Sequence, residues 1–390
     1  MTRMRILTFL HSFEPGGVER VALRLVRHWR GSGIDAPLFM GRSDGALRAE
    51  LAGDVPYDSP PAPPVPIGWC ETLWMIATLP AAIRRLRPDA LFCAGNSYAV
   101  VAVAMKLMLG SRCPPVLMKI SNDLERADMP AVGRFFYRLW LRVQGRCIDR
   151  FVAMAPGLEQ EIARFVRPRP GAIATIPSPA LSAARIERLH EIADRPAPGD
   201  GRRFVAIGRL ARQKNMPLML RAFALGARAG DRLTIVGDGP ERASLVRLAR
   251  RLRIADRVSF AGHVPDGAML LRRRDTLLLT SRYEGVPGVV LEALAAGVFV
   301  IATDCSAAIR PLLDNGRLGS VVSSGHLDAL AQEIGKLRRC ADREAALATA
   351  YRFTIEGASP EYLALFAAMT DRSAAPANAR TVPPSMPSLS

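Results

Sequence analysis

The 390-residue sequence predicts an α/β fold of two Rossmann-like domains whose parallel sheets face a central cleft. Two observations carry this prediction. Short apolar runs alternate with helical patterns in both halves, and the alternation stops and restarts across a charged, Pro- and Gly-containing stretch at residues 195–202. Strand–helix–strand alternation implies a parallel sheet covered on both faces. At this length each domain can bury its own core, and 49% hydrophobic residues exclude disorder as the main state.

In chain order, residues 6–10 read as a buried strand and 18–29 as a helix. The same pairing recurs at 90–94 with 98–109 and at 116–120 with 133–147. The proline-rich stretch 57–68 reads as a loop. Residues 151–155 form a late strand, and 175–179 lead out of the first domain. Strands restart at 204–207, 233–236, 258–260, 276–279 and 299–302, with helices at 217–226, 240–253, 288–296 and 326–337. The domains are therefore placed at 1–178 and 203–347, joined by a linker at 179–202 and followed by a helical segment at 348–370. A Ser/Pro/Ala-rich tail, 371–390, is expected to be disordered.

Net charge is +17, of which +8 lies up to Ser178 and +9 beyond it. Charge this evenly spread lacks the concentrated basic face of a nucleic-acid binder, so no nucleic acid is expected as a partner. Only four basic residues are lysines (106, 119, 214 and 336), and such a skew beside abundant Ala and Pro resembles the codon bias of a GC-rich genome. The longest apolar stretch, 98–110, is broken by Lys106 and too short to span a bilayer. The first thirteen residues have two arginines before an apolar run but no small-residue cleavage site, and residues 5–10 within them read as the first strand. Six cysteines without a CxxC pair or a histidine at ligand spacing suit a reduced, cytoplasmic protein.

The most specific motif runs from Ser281 to Gly297, SRYEGVPGVVLEALAAG, between two predicted strands. Glu284 precedes the helix and Glu292 lies about a turn inside it, so both can approach a ligand at the helix N-terminus, where free N–H groups favour phosphate. Gly285 and Gly288 let the backbone come close. Taken singly, either glutamate reads equally well as a solvated or capping residue. Arg209 and Lys214 follow a strand in GRLARQKN (208–215), where open α/β sheets bind ligands, and could neutralise a diphosphate as its charge develops. Arg212 is the weaker candidate there. Near the start, PGGVER (15–20) joins the first strand to the first helix, and its two glycines permit a tight turn with room for a ligand. Neither this loop nor GDGPER (237–242) completes a GxGxxG fingerprint.

Together these stretches resemble the "glycosyl transferases group one" family of retaining GT-B glycosyltransferases, along nearly the whole chain. The resemblance implies transfer of a sugar from a nucleotide diphosphate sugar to a glycan, lipid-linked or small hydroxyl acceptor, as in cell-surface polysaccharide or glycolipid assembly, with no further cofactor. It implies that Glu284 contacts the donor sugar, that Glu292 holds the ribose hydroxyls, and that Arg209 and Lys214 hold the diphosphate. Gly208, Gly285, Gly288 and Val289 line the donor site. Gly16 and Gly17 line the cleft from the acceptor-side first domain, and a final helix, suited by 360–369, crosses back onto that domain.

Two departures limit the transfer. After Asp304 the family often has a Gly-Pro-Glu type turn where this chain reads Cys305-Ser-Ala-Ala-Ile-Arg-Pro311, so no donor contact is assigned there. After the strand near residue 120 the chain reads Lys119-Ile-Ser-Asn-Asp123, leaving Lys119 and Asn122 as cleft residues; His11 is a further candidate that reads more simply as structural. No Asp-x-Asp sequence occurs, so no metal-dependent mechanism is expected. A nucleotide-sugar epimerase of the same fold and a non-catalytic nucleotide-sugar-binding protein remain as alternatives. On the helix at 133–147, Arg134, Arg138, Arg142 and Arg146 repeat every four residues beside Phe135, Phe136, Leu139, Trp140 and Val143. This stripe suits either peripheral contact with an anionic membrane or a core-packed helix with a solvated edge.

Overall fold

The computed structural model describes residues 4–14, 16–45, 47–48, 55–61, 70–121, 124–126, 129–196 and 201–370. Asn122 and the tail at 371–390 lie outside the described residues. Two six-stranded parallel sheets form, as alternating strands and helices require. The first contains β1 (Ile6–Leu10), β2 (Leu38–Met40), β3 (Ala90–Cys93), β4 (Val116–Lys119), β5 (Arg150–Ala153) and β6 (Ile173–Thr175), in the order β2-β1-β3-β4-β5-β6. The second contains β7 (Arg203–Ile207), β8 (Arg232–Val236), β9 (Val258–Gly262), β10 (Thr276–Leu279), β11 (Phe299–Thr303) and β12 (Gly319–Val322), in the order β12-β11-β10-β7-β8-β9. Central strands such as β1, β3, β10 and β11 are buried along their whole length, because helices cover both faces of a parallel sheet.

In the first domain the covering helices include α1 (Gly17–Gly31), α2 (Glu71–Leu86), α3 (Ala99–Leu109) and α4 (Ala131–Cys147). α2, the three-residue β2 and β6 were not expected from the sequence, and β6 ends at Thr175, where the expected exit from the domain begins. The stretch expected to be a linker contains a full helix, α5 (Ala183–Ala193), whose N-cap Ser182 accepts a bond from the Arg185 N–H at 3.2 Å. In the second domain lie α6 (Met216–Gly226), α7 (Arg242–Arg251), α8 (Gly288–Ala295) and α9 (Leu327–Gly335), followed by α10 (Arg343–Tyr351) and α11 (Ile355–Thr370).

The last helix returns to the first domain. Tyr362 and Phe366 on α11 meet Trp29 on α1 and Phe92 on β3 edge-on, with ring centroids 5.7–6.3 Å apart. All four rings are buried, and this geometry is favoured by the aromatic quadrupole beyond the area removed from water. The chain thus passes between the domains twice, and the two passages pair: Leu181 N–H donates to the Phe353 carbonyl at 3.1 Å and Ile355 N–H to the Leu181 carbonyl at 2.9 Å. One continuous apolar core runs from the first domain through α5 and α11 to the α8 face of the second sheet, while a second cluster fills that sheet's other face.

Candidate functional site

The donor-side site is built where β7 and β10 end. β7 leads into Gly208, whose φ of +153° suits glycine and whose missing side chain gives Lys214 its place: a Cβ there would stand 3.3 Å from Lys214 Cε. The loop then makes a single 3₁₀ turn, Arg212–Lys214, and Asn215 takes a left-handed conformation before α6. β10 leads into the loop carrying Glu284. The two loops are tied together by three hydrogen bonds to backbone carbonyls. Arg282 N–H donates to the Gln213 carbonyl at 2.8 Å, Gln213 Nε2 to the Tyr283 carbonyl at 2.9 Å, and Thr280 Oγ1 to the Lys214 carbonyl at 3.0 Å.

At their junction the Lys214 ammonium donates to Glu284 Oε1, which also accepts from Ser281 Oγ at 2.6 Å. The side chains of Lys214 and Glu284 are only 19% and 12% exposed, so the pair is formed largely out of water. Arg209, one residue beyond Gly208, is exposed and has no acidic partner among the described residues. Ser281 is a site residue that the sequence reading quoted within the motif without giving it a role.

The segment for which no donor contact was assigned proves to hold this loop. Glu284 N–H donates to the Cys305 carbonyl at 2.8 Å, and Ser306 Oγ to the Gly285 carbonyl at 2.5 Å. Gly285 itself is required by the first domain rather than by room for a ligand, since a Cβ there would stand 2.1 Å from the Ser121 carbonyl oxygen. Gly288, the first residue of α8, has open space where its side chain would be, so the helix N-terminus can be approached. Val289 beside it is half-buried.

Glu292, on the second turn of α8, pairs with a partner the sequence did not announce. Arg185 on α5 donates to Glu292 Oε1 from Nη2 at 2.6 Å and Nε at 3.2 Å, while its Nη2 and Nη1 reach Asp266 at 2.8 and 3.0 Å. Burial works against the Arg185 charge, yet the bonds to the two carboxylates hold it above the ordinary arginine value. The crossover helix therefore fixes the second glutamate of the motif.

On the first-domain side, α1 begins after Gly16 in an extended conformation that any residue can adopt, so a tight turn is not the reason for the glycine pair. Glu19 folds back over Gly16, within 2.0 Å of where a Cβ would stand, and accepts the Tyr98 hydroxyl at 2.6 Å. Gly17 faces open space. His11 stacks on Tyr98 with centroids 4.8 Å apart, and burial followed by the Arg42 charge lowers its pKa, which favours the neutral imidazole. Lys119, expected in the cleft, is 1% exposed at the end of β4, so its ammonium is enclosed rather than open to solvent. Burial pushes its pKa down to about 8, with Glu19 acting in the opposite sense.

The six cysteines are free thiols, four of them buried. No helix among the described residues is long and apolar enough to cross a membrane.

Family models match both halves of the chain: "Glycosyl transferase 4-like domain" over residues 16–179 and "Glycosyl transferases group 1" over residues 201–339. The chain thus carries a glycosyl transferases group 1 domain at residues 201–339, preceded by a glycosyl transferase 4-like domain at residues 16–179. It is 33% identical over 103 residues to an amylovoran biosynthesis glycosyltransferase of Erwinia amylovora, a match covering 26% of this chain and 29% of the relative. It is 32% identical over 180 residues to a GDP-mannose-dependent phosphatidylinositol monomannoside mannosyltransferase of Mycolicibacterium smegmatis, covering 43% and 45%. Matched stretches thus span less than half the length of these curated relatives. Among solved structures, Anabaena HepE in complex with UDP and glucose superimposes with a TM-score of 0.70 at 18% identity, over 94% of this chain and 100% of that one. An apo lipopolysaccharide outer core galactosyltransferase, WaaB, gives 0.69 at 18% over 93% and 99%. These likenesses establish the GT-B fold of two parallel-sheet domains for this chain.

The enclosed Lys119 yields a stability prediction with a definite sign. Its folded pKa, about 8, lies below its unfolded value of 10.5. Between those values the unfolded chain holds the extra proton, so the destabilisation is complete below about pH 8 and fades as pH rises toward 10.5. Lys119→Met, of similar length but uncharged, should raise stability at pH 7 by up to about 3 kcal/mol, and the advantage should fall by roughly half by pH 9.5. Urea denaturation at the two pH values checks this; an advantage independent of pH would contradict it.

Proposed function

We propose that this chain is a retaining, metal-independent glycosyltransferase, transferring a sugar from a nucleotide diphosphate sugar to a hydroxyl acceptor held against the first domain. The observation that carries this reading is the junction of Arg209, Lys214 and Glu284 at the carboxyl ends of β7 and β10, beside the open N-terminus of α8. The UDP in the Anabaena HepE structure supports a nucleotide diphosphate donor. The polysaccharide and glycolipid roles printed for the relatives support cell-surface polysaccharide or glycolipid assembly.

In this reading Arg209 and the Lys214 ammonium neutralise the diphosphate as it leaves, together with the α8 N–H groups. Lys214 already donates to Glu284, so one cation links the phosphate to the carboxylate that holds the sugar. The acceptor hydroxyl attacks the face from which the diphosphate departs, and the departing phosphate oxygen takes its proton. The ring passes through an oxocarbenium-like state whose positive charge the Glu284 carboxylate opposes. Glu292, oriented by Arg185, holds the ribose hydroxyls. Gly208, Gly288 and Val289 shape the donor side, Gly285 seats their loop against the first domain, and Gly17 and the Glu19–Tyr98 pair border the acceptor side. Metal independence rests on the two cations and the helix N-terminus supplying the charge that a divalent ion would otherwise give.

The two glutamates separate kinetically. Glu284→Gln keeps size but loses charge where charge develops, and should lower kcat by about two orders of magnitude. Glu292→Gln should mainly raise the donor KM, because ribose contacts change little between ground and transition states. Steady-state and single-turnover kinetics with and without EDTA test both the roles and the metal independence. Equal kcat losses with unchanged donor affinity, or activity abolished by EDTA and restored by a divalent ion, refute the corresponding part. NMR of the donor incubated without acceptor should show no change in sugar configuration, which an epimerase would produce.

We further propose that α4 rests on anionic lipid, giving a cytoplasmic protein that is peripheral on the membrane's inner face. Trp140 and Val143 pack on the core, but Val132, Phe135, Phe136 and Leu139 are 70%, 66%, 62% and 53% exposed, with Arg138, Arg142 and Arg146 exposed beside them. Apolar side chains flanked by guanidinium groups complement an anionic bilayer surface. The protein should sediment with phosphatidylglycerol vesicles at low salt, and Phe135→Glu/Phe136→Glu should remove most of that binding. Failure of the unmodified protein to sediment refutes the membrane contact.

A further inference from the structure

The amino ends of β7 and β10, opposite the donor junction, open onto a cavity of about 770 Å³. β7 is five residues long, which places this cavity roughly 16 Å or more from the residues at its carboxyl end. Among the described residues, ten of the eighteen that line it are arginine or lysine, and two are acidic. The chain as a whole has 53 such cations in 390 residues, so a wall of this size drawn at its average composition would hold two or three. An arginine-rich genome does not account for a local enrichment of this size.

The charge in the cavity is only partly matched. Arg202 is committed to Asp231 and to the carbonyls of Ile334 and Lys336; Arg203 faces Asp275 at 3.4 Å; Arg273 pairs with Asp194. Lys336 and Arg338 share Glu333. Arg195, Arg274, Arg339 and Arg343 are exposed and have no acidic partner among the described residues. The Nε atoms of Arg272 and Arg273 are buried without an acceptor. Like charges held this close repel, and a fold tolerates them at a concave site when an anion can enter between them.

The lining also indicates the class of anion. No aromatic residue lies in the wall among the described residues, so none of these stacks on a base, and the apolar members are Ala193, Pro196, Leu337 and Cys340. Guanidinium forks match phosphate oxygens two at a time, and the volume suits a single small molecule rather than a polymer. We propose that this cavity is a second ligand site, distinct from the donor cleft, which takes one small molecule bearing two or more phosphates and recognises it through them. The proposal does not rest on the assignment of the donor site, since the two lie at opposite edges of the sheet.

The test uses the full chain carrying Lys214→Met, which weakens phosphate binding in the donor cleft, and inorganic triphosphate as the probe in calorimetry at 150 mM NaCl. One equivalent of triphosphate should still bind. Adding Arg274→Ala and Arg339→Ala, two exposed side chains whose loss should leave the melting temperature unchanged, should weaken that binding at least tenfold. Arg251→Ala, on α7 away from the cavity, should leave it unaltered. Absence of binding in the Lys214→Met protein overturns the proposal, as does equal affinity after the Arg274/Arg339 change. A loss of the same size from Arg251→Ala also overturns it, because the binding would then reflect diffuse charge alone. If triphosphate fails to bind but an oligonucleotide binds through the same arginines, the small-molecule site is likewise refuted.

Discussion

The Lys214–Glu284 ion pair is the interaction on which the rest of the donor site depends. It joins the loops that leave β7 and β10, and hydrogen bonds from Gln213, Thr280 and the Arg282 N–H hold those loops together around it. A pair so far removed from water holds together only when its remaining valences are met. Ser281 meets one of them, and the Cys305 and Ser306 segment fixes the peptide units on either side of Glu284. Arg209 can stay exposed because Lys214 and Glu284 have already set the shape of its loop.

The same loop is where the two domains touch. Gly285 lies against the Ser121 backbone, and the Arg126 guanidinium sits 5.4 Å from the centre of the Tyr283 ring. A change in domain spacing therefore reaches Glu284 through two residues, one on each side of it. Glu292 receives its constraint from another direction, through Arg185 on the crossover helix. The two motif glutamates, close in sequence, are held by different parts of the molecule.

How much of this was legible follows from the range over which each feature is written. β7, β10 and β11 are covered on both faces and appear as unbroken apolar runs. β2 has three residues, too few for any pattern, and α2 carries Pro80, which interrupts the helical signal that would announce it. Glu284 and Lys214 could be assigned to one donor site in advance, because both follow predicted strands and the family resemblance gives both to the donor, but the bond between them spans 70 residues and no local signal announces it. Arg185 lies 107 residues from Glu292 in a stretch whose charge and prolines read as linker, and no local signal marks its partner. Lys119 was read as a cleft residue from its position after a strand, but whether a side chain turns into solvent or under its neighbours is decided by packing that the sequence does not display. The GT-B fold and the donor loop were thus readable, while the residues that orient them were not.

The pairing of the two interdomain passages makes the first domain discontinuous along the chain. Leu181 bonds to both Phe353 and Ile355, so the stretch between them leaves the first domain and returns within one hydrogen bond of where it left. The first domain then consists of two pieces of chain, closed by the Trp29, Phe92, Tyr362 and Phe366 rings, and the second is an insert with adjoining ends. Such an insert can be excised and its parent rejoined with a short bridge, the arrangement in which domain grafting is best tolerated. The second domain could in principle be exchanged as a cassette, letting one acceptor-side half be paired with a different sugar-binding half.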